Sequence, residues 1–206
     1  MTTFDRSFWE ERWAQALSRH AENLTHRLPN ANLIAELDDL PPGIALDAGC
    51  GHGSDTLWLA GRGWQVTAVD FSETALAHAR STAEAAGADV AARVDWVEGD
   101  LRTWTPEPGR YDLVACLYVH MAGSVKDTVR RLATGVAPGG TLLLVGHRPI
   151  DPATGAETAA AGQTQVSVDA VAALDPPHWE LIVAEDRPRA TQGTGVDAVI
   201  RARHRS

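Results

Sequence analysis

Two acidic residues follow short apolar runs on either side of a glycine-rich loop. Residues 44–46 lead into Asp47 and a G-x-G-x-G loop, and residues 66–69 lead into Asp70. Glycine permits a sharp turn and a close ligand approach because it has no Cβ, and the helix that follows presents free N–H groups. An acid at the tip of the second run can accept hydrogen bonds from both ribose hydroxyls. The segment therefore predicts a nucleoside site at the carboxyl ends of two parallel strands.

The spacing of the glycines separates two classes of nucleotide ligand. A dinucleotide fingerprint reads G-x-G-x-x-G, but Ser54 stands where its third glycine would be. Asp47 would also repel a pyrophosphate, whereas it tolerates the ammonium group of a methionine moiety. A third acid, Asp100, follows the strand-like residues 94–97 and can accept from an adenine amine while the amide of Leu101 donates to the ring. These features favour S-adenosylmethionine over a dinucleotide.

Five motifs in order resemble those of the class I S-adenosylmethionine-dependent methyltransferases. They read ALDAGCGHG, VTAVDFS, VEGDLRTW, YDLVACLYVHM and APGGTLLLVGH, and they cover roughly residues 40–150. The resemblance implies an α/β, Rossmann-like fold with a seven-stranded, mostly parallel sheet. Its strand order would be 3-2-1-4-5-7-6, with strand 7 antiparallel and helices on both faces. It also implies S-adenosylmethionine as cofactor and S-adenosylhomocysteine as product.

The N-terminal segment FWEERWAQ is similar to the W-x-x-R-W region of small-molecule members of the thiopurine and tellurite-resistance type. This similarity implies a helical lid over the site and favours a soft nucleophile, such as a thiol, as methyl acceptor. Trp9 and Trp13 lie one helical turn apart on one face. We expect Trp13 to contact the cofactor and Trp9 the acceptor, although docking of the helix on the core would also explain both.

The expected cofactor-binding residues lie in the lid, in the glycine loop and at the ends of the second, third and fourth strands. They are Trp13, Asp47, Gly49, Cys50, Gly51, Gly53, Asp70, Phe71, Ser72, Gly99, Asp100, Leu101 and Cys116. A tight turn alone would explain the glycines. Three acids at three strand ends beside that turn favour a cofactor site.

Candidate catalytic residues follow the fourth and fifth strands. Methyl transfer is an in-line displacement that depends on alignment and exclusion of water, and a base is needed only when the acceptor is not already ionised. His120 and His147 are candidate bases because histidine titrates near neutral pH, although packing or loop closure would explain either. Tyr118 and Arg148 are candidate acceptor contacts, the arginine for an anion; a core tyrosine and a solvent-facing arginine are the alternatives.

Composition limits the class of protein and its partners. The chain has 206 residues and a formal net charge of −9, which argues against a nucleic-acid substrate. No apolar run is long enough for a membrane span, and the N-terminus has no secretory apolar region. Two cysteines, with no metal-ligand spacing, favour a reducing cytoplasm. We expect one domain over residues 1–206, with a lid over 1–40 and a core over 41–206, that is a monomer or homodimer.

Alternating elements predict the positions of the helices and strands. Helices are expected over residues 4–19, 30–40, 54–62, 72–86 and 124–135, and the last two strands over 179–186 and 196–203. Residues 149–165 are either an acceptor-site flap or a surface loop. A small-molecule methyltransferase is the main hypothesis, for a thiol or else a phenol or amine. An NAD-dependent oxidoreductase and a non-catalytic S-adenosylmethionine-binding protein are the alternatives.

Overall fold

The computed structural model describes residues 6–120, 124–151, 153–158, 174–189 and 195–206. The chain divides into two compact units, Met1–Trp104 and Thr105–Ser206. The expected start of the first helix at Phe4, Met121 of the fourth motif and much of segment 149–165 lie outside the described residues.

Seven strands of the described part of the chain form one sheet. They are β1 (Ile44–Ala48), β2 (Gln65–Asp70), β3 (Val94–Glu98), β4 (Tyr111–Leu117), β5 (Val136–His147), β6 (Trp179–Pro188) and β7 (Val196–His204). Their order is β3-β2-β1-β4-β5-β7-β6. The pairs β1–β2, β2–β3 and β4–β5 are parallel, whereas β7 is antiparallel to both β5 and β6. The predicted strand order and the reversal of the seventh strand are confirmed.

Six helices lie in the described part of the chain. They are α1 (Arg6–Thr25), α2 (Ala31–Leu37), α3 (Ser54–Gly61), α4 (Glu73–Ala86), the short α5 (Ala88–Ala91) and α6 (Val125–Ala133). Side chains cap three of them, since Asn30, Ser72 and Ser124 each accept a hydrogen bond from a first-turn amide. None of the described helices has the length and apolar character of a membrane span.

Helix α1 differs from its prediction because the sequence contains no strong stop where we expected one. It continues past Arg19 to Thr25, with His20 outside helical geometry at φ −143° and ψ 26°. Pro29 is the first breaker beyond it, and the residue before a proline is disfavoured in a helix. Helix α2 ends earlier than expected, at Leu37, where a turn at residues 38–39 precedes the prolines.

Each unit has its own apolar layer. In the first, Leu46, Leu59 and Val69 are fully buried, and β1 is buried along most of its length. In the second, residues 142–145 of β5 and Ile200 of β7 are fully buried. Continuous apolar runs of this kind are typical of strands covered on both faces. Strand β6 lies at the edge of the sheet and leaves much of its length exposed.

Candidate functional site

The glycine loop between β1 and α3 has a backbone that only glycine fits well. Gly51 and Gly53 have φ values of +52° and +85°, in the left-handed region that L-residues rarely adopt. A Cβ on Gly51 would also lie 2.9 Å from Cζ2 of Trp13, and one on Gly53 would lie 2.9 Å from Cβ of Ala79. The side chains of Trp13 and Ala79 therefore cover the loop closely. The loop is followed directly by the N-terminus of α3.

Backbone amides fix the carboxylate of Asp70 at the end of β2. The Gly51 N–H donates to Oδ2 and the Ser72 N–H donates to Oδ1, each at 2.9 Å. The loop is also tied to the same strand, because the Gly49 and Cys50 amides donate to the Val69 carbonyl at 2.7 and 3.0 Å. Each carboxylate oxygen keeps capacity for a second hydrogen bond, so Asp70 is positioned and still able to accept from a ligand.

The first unit contains one buried acid, Asp47, and two half-buried acids, Asp55 and Asp70. Burial, assisted by the charge of Asp55, raises the pKa of Asp47 to about 7, although the Thr56 hydroxyl donates to Asp47 Oδ2 at 2.5 Å and lowers it. Burial also raises the pKa of Asp55 and of Asp70. The charge of Arg27 offsets this in part at Asp55. A set of acids with so little cationic compensation suits a ligand with positive charge, such as a sulfonium with an ammonium group, and disfavours a pyrophosphate. The donor set therefore fits S-adenosylmethionine.

His52 lies between the second and third loop glycines, Gly51 and Gly53. Its ring lies 5.5 Å from the Trp13 ring at an interplanar angle of 39°. Burial lowers the pKa of His52 to about 4, so the imidazole is neutral at physiological pH. Among the described residues its buried Nε2 has no hydrogen-bond partner. A buried polar atom of this kind in the loop is a candidate contact for a polar ligand group.

Helix α1 lies against the first unit through side chains at its N-terminal half. The Glu10 carboxylate accepts from the Glu73 N–H at 2.7 Å, at the N-terminus of α4. Arg6 pairs with Glu98 at the end of β3, at 2.6 Å. Together with the cover that Trp13 gives to Gly51, these contacts hold α1 against α4, β3 and the glycine loop, and the role of this helix as a lid stays a prediction.

The two predicted lid tryptophans have different surroundings. Trp13 covers the glycine loop. Trp9 lies edge-on to Phe8 with ring centroids 5.4 Å apart, and the Arg12 guanidinium lies 5.8 Å from its ring. The structure thus brings Trp13 to the predicted cofactor residues, whereas the predicted acceptor contact of Trp9 stays a proposal.

Asp100, the acid predicted to contact adenine, is engaged by Arg102. The Arg102 Nε lies 3.0 and 2.9 Å from the two carboxylate oxygens, and its Nη2 lies 2.6 Å from Oδ2. Hydrogen bonding from Arg102 lowers the pKa of Asp100. An adenine amine would therefore share this carboxylate with a guanidinium, which the sequence prediction did not anticipate. Leu101 is buried beside it, and a Cβ on Gly99 would lie 2.9 Å from Cδ1 of Trp104.

The remaining predicted cofactor residues in the two units are mostly buried. Phe71 is half-buried and Ser72 is fully buried, directly after Asp70. Cys50 and Cys116 are both buried free thiols. Burial raises the pKa of the Cys50 thiol, which argues against a reactive thiolate. No group of three metal-ligating side chains occurs in the described part of the chain.

Three side chains in the second unit converge on Asp197. The Tyr118 hydroxyl donates to Asp197 Oδ2 at 2.7 Å, and His147 Nδ1 lies 2.8 Å from Oδ1. The Tyr118 and His147 rings stack with centroids 4.1 Å apart at 25°. Asp197 is 1% exposed. Burial acts to raise its pKa, but the hydrogen bonds from His147 and Tyr118 outweigh this and lower the pKa, so the group is a carboxylate.

Arg189 completes this cluster from the end of β6. Its Nη2 lies 2.6 Å from His147 Nδ1 and its Nε lies 3.4 Å from Asp197 Oδ1. Sequence reasoning missed both Asp197 and Arg189. The expected reversal of β7 was a signal that could have found Asp197. In an antiparallel pair the first residues of β7 face the last residues of β5, and Asp197 is paired with His147.

Tyr118 has an unusual backbone. It is the one non-glycine residue with positive φ among the described residues, at +54°, which for a bulky residue costs about 1–3 kcal/mol. Its amide donates to the Val145 carbonyl at 2.8 Å, which holds this conformation. Strain of this kind concentrates at functional sites, and here it accompanies the hydrogen bond to Asp197.

The other two candidates in the second unit are less informative. His120 follows β4 and is half-buried. Arg148 pairs with Asp186, its Nε lying 3.3 Å from Oδ1, and both side chains are mostly buried. The predicted contact of Arg148 with an anionic acceptor stays a prediction.

Comparison with known proteins finds similarity to methyltransferases. Residues 45–140 match the model of the methyltransferase domain family. The chain is 35% identical over 131 residues to the trans-aconitate 2-methyltransferase of Streptomyces avermitilis, a match covering 60% of this chain and 46% of that protein. It is 36% identical over 115 residues to the ribosomal RNA small subunit methyltransferase C of Alcanivorax borkumensis, a match covering 53% of this chain and 34% of that protein. The chain thus spans less than half the length of these relatives.

The fold comparison agrees. The structure of TehB from Haemophilus influenzae superposes with a TM-score of 0.68 at 18% identity, covering 85% of this chain and 62% of that one. At that identity the likeness supports the fold alone, and the fold is the one that the sequence motifs implied.

Proposed function

We propose that this chain, whose residues 45–140 match the model of the methyltransferase domain family, is a class I S-adenosylmethionine-dependent methyltransferase that transfers a methyl group to a small-molecule acceptor. The observation that carries the proposal is the glycine loop whose Gly51 amide fixes the Asp70 carboxylate at the end of β2. That arrangement places a carboxylate that can accept hydrogen bonds from ribose hydroxyls next to backbone N–H groups.

The residues that would hold the cofactor follow from their positions. Asp70 accepts from the ribose hydroxyls, the glycine loop and the acid Asp47 receive the methionine end, and Asp100 with the Leu101 amide receives the adenine. Bound S-adenosylmethionine supplies a methyl group on a sulfonium, which is a good leaving group. The task left to this chain is to orient that methyl group and exclude water, and Trp13 covers the loop where exclusion is needed.

A small acceptor fits the charge of the chain better than a nucleic acid. The second relative is by name a ribosomal RNA methyltransferase, but a net charge of −9 opposes the approach of a polyanion. The resemblance of residues 8–15 favours a soft nucleophile such as a thiol, whereas the His147 cluster favours an acceptor that must lose a proton. Two buried free thiols support a reducing cytoplasm as its compartment.

Calorimetric titration of S-adenosylmethionine, followed by an assay of S-adenosylhomocysteine release with thiols, phenols and amines, tests the proposal. We expect Asp70→Asn to weaken cofactor binding by about 1–3 kcal/mol, because charge-assisted hydrogen bonds to the ribose are lost. Asp95→Asn, at an exposed position of β3, is the control and should bind normally.

Three other outcomes would count against parts of the proposal. Unchanged affinity in Asp70→Asn would refute the ribose assignment. Tight cofactor binding without product release from any acceptor would favour the non-catalytic alternative. Binding of NADH in place of S-adenosylmethionine would favour the oxidoreductase.

A further inference from the structure

We infer that the second unit contains a binding site for a small, neutral aromatic compound that carries a hydroxyl group. The site is a cleft at the amino ends of β4, β5 and β6, and Trp179 and His204 lie in its wall. It is independent of the proposed methyl transfer, because open α/β sheets bind their substrates at the carboxyl ends of the parallel strands.

The position of the cleft separates it from the candidate residues at the other edge of the sheet. Gly109 precedes β4, Trp179 begins β6, and the reversed strand β7 ends at this edge with His204. His204 and Asp197 are seven residues apart on β7, which is about 23 Å in an extended strand. A small molecule bound at His204 therefore does not reach the cluster around Asp197.

The cleft has the size of a small-molecule site, and hydrogen bonds connect its walls. Its volume is about 520 Å³, within the range of roughly 300–1,000 Å³ that is usual for such sites. The Gly109 N–H donates to the Thr134 carbonyl at 2.9 Å, and the Arg205 N–H donates to the His178 carbonyl at 2.8 Å. Because these are main-chain hydrogen bonds between lining segments, the cleft is formed before a ligand arrives.

Aromatic and apolar side chains form much of the lining. Trp179 stacks on His204 with ring centroids 4.9 Å apart and an interplanar angle of 26°. Pro138 and the buried Leu174 add apolar surface. Aromatic rings pair favourably with one another in offset or edge-to-face arrangements. A flat, ring-shaped ligand therefore gains more from this lining than a flexible chain of the same size does.

The charged side chains in the described part of the lining already have partners. The Arg130 guanidinium pairs with Asp127 at 3.1 Å, and the Asp175 carboxylate lies 2.9 Å from His178 Nδ1. An ionised ligand would lose its hydration without gaining an unpaired counter-ion, and a charge that leaves water needs one. The lining therefore favours a neutral molecule.

His204 supplies the polar contact. Its Nδ1 is buried and has no hydrogen-bond partner within the described part of the chain, which is unfavourable for a polar atom. Because His204 lines the cleft, a ligand can supply that partner. A neutral imidazole nitrogen either donates or accepts, depending on the tautomer, and a hydroxyl group can match both cases. An ether only accepts, and a methyl group does neither.

Three ligands of similar shape test the hydroxyl preference on the wild-type protein. By calorimetry, 2-naphthol should bind about 10-fold more tightly than 2-methylnaphthalene, which keeps both rings but cannot form the hydrogen bond. The carboxylate 2-naphthoate should bind more weakly than 2-naphthol, because the cleft offers no unpaired cation among its described residues. Equal binding of the methyl compound, or tighter binding of the carboxylate, would overturn the inference.

The indole signals of the tryptophans show where 2-naphthol binds. Trp179 is the one tryptophan of the second unit, and the loss of its ¹H–¹⁵N signal in Trp179→Leu identifies it. The ring current of bound 2-naphthol should shift this signal, and Trp179→Leu should weaken binding by about 10-fold or more because an aromatic contact is lost. Trp58→Leu, at a half-buried position of the first unit, is the matched control and should bind normally.

His204→Phe separates the hydrogen bond from the packing. Phenylalanine keeps a ring against Trp179 but has no nitrogen, so the advantage of 2-naphthol over 2-methylnaphthalene should disappear while the methyl compound still binds. His26→Phe, at an exposed position, should keep the advantage. Persistence of that advantage in His204→Phe would overturn the inference.

Binding of 2-naphthol without a shift of the Trp179 signal would also overturn the inference, because the compound would then occupy another site, such as that of a methyl acceptor. None of these measurements includes S-adenosylmethionine. A failure of the proposed function, in which the cofactor does not bind, therefore leaves their outcome unchanged.

Discussion

Two acids at strand ends, one in each unit, differ in what holds them. Asp70 accepts from the backbone amides of Gly51 and Ser72. Asp197 accepts from the side chain of Tyr118 and lies beside those of His147 and Arg189. A backbone donor stays in place whatever side chain its residue carries, whereas a side-chain donor disappears with one substitution. The first acid should therefore tolerate changes in its neighbours that the second does not.

The difference between the two acids also bears on which kind of ligand each would suit. A cofactor shared by a whole family suits a site made of main-chain groups, because it has to persist while sequences change. An acceptor that differs between members suits a site made of side chains, since function lies in sites placed on a fold. The predictions below test this contrast, beginning with the largest expected effect.

The largest effect concerns Asp47 and pH. Its pKa is raised to about 7 in the folded protein, so the stability that its protonated form contributes is fully present below about pH 4 and is lost as pH rises through about 7. We expect Asp47→Asn, which mimics the protonated acid, to abolish that loss. Relative to the variant, the wild type should lose about 4 kcal/mol of unfolding free energy between pH 4 and 8.

Urea unfolding of the cofactor-free protein at several pH values measures this difference. Asp95→Asn is the control because that carboxylate is exposed on β3. Parallel pH profiles for the wild type and Asp47→Asn would show that Asp47 is ionised in the fold, contrary to the prediction.

A substitution in the glycine loop comes next. Gly51→Ala should reduce the free energy of unfolding by about 3 kcal/mol, because it combines a left-handed alanine with a contact of 2.9 Å to Trp13. Gly109→Ala has a similar φ of +63° but open space around its Cβ, so it should cost only about 1–2 kcal/mol. Equal losses in urea unfolding would show that Trp13 does not constrain the loop.

The third prediction concerns Asp197, the acid that is held by side chains. Tyr118→Phe removes the hydroxyl donor of Asp197 and should cost about 2 kcal/mol of stability, the usual effect of losing a hydrogen bond to a buried charged group. A double-mutant cycle with Asp197→Asn measures the coupling, because the hydroxyl should matter much less once the charge is gone. Additive effects would indicate that the 2.7 Å contact contributes nothing.

The smallest effect is expected where a backbone donor is retained. Ser72→Ala removes the cap of α4, in which Ser72 Oγ accepts from the Ala75 amide at 3.1 Å, and should cost about 1 kcal/mol of stability. The Ser72 N–H to Asp70 remains, so cofactor affinity should stay within about twofold. Ser124→Ala, the matching cap of α6, should cost the same. A tenfold loss of cofactor affinity only in Ser72→Ala would contradict the backbone account.

Sequence reasoning performed differently in the two regions for a physical reason. The glycine loop, Asp47 and Asp70 lie within about 25 residues of one another, and a strand–loop–helix–strand unit brings such residues together by local rules alone. Tyr118 and Asp197 are 79 residues apart. Their meeting depends on the pairing of β5 with β7, which a strand order implies but a local pattern does not display.

Sequence reasoning also failed at Asp100, because a neighbouring residue competes with the expected ligand for its carboxylate. The motif identified Asp100 as a ligand-binding acid, but Arg102 two residues later donates several hydrogen bonds to it. An arginine in a loop has many rotamers, so its choice of partner is settled by the folded geometry rather than by spacing. The strand order, in contrast, was implied by the resemblance of the five motifs to a known family. The alternating elements and the short connection before β7 indicated only an open parallel sheet in which one of the last two strands is reversed.

The buried acids of the first unit have a consequence for the lifetime of the protein in the cell. Burial raises the pKa of Asp47, Asp55 and Asp70, and the charge of Arg27 offsets this only in part, at Asp55. A cationic ligand that relieves this cost binds only the folded chain, and a ligand present at 100 times its Kd adds about 2.7 kcal/mol of stability. We therefore expect the steady-state abundance of the protein to rise and fall with the supply of the methyl donor, since proteases remove chains that unfold.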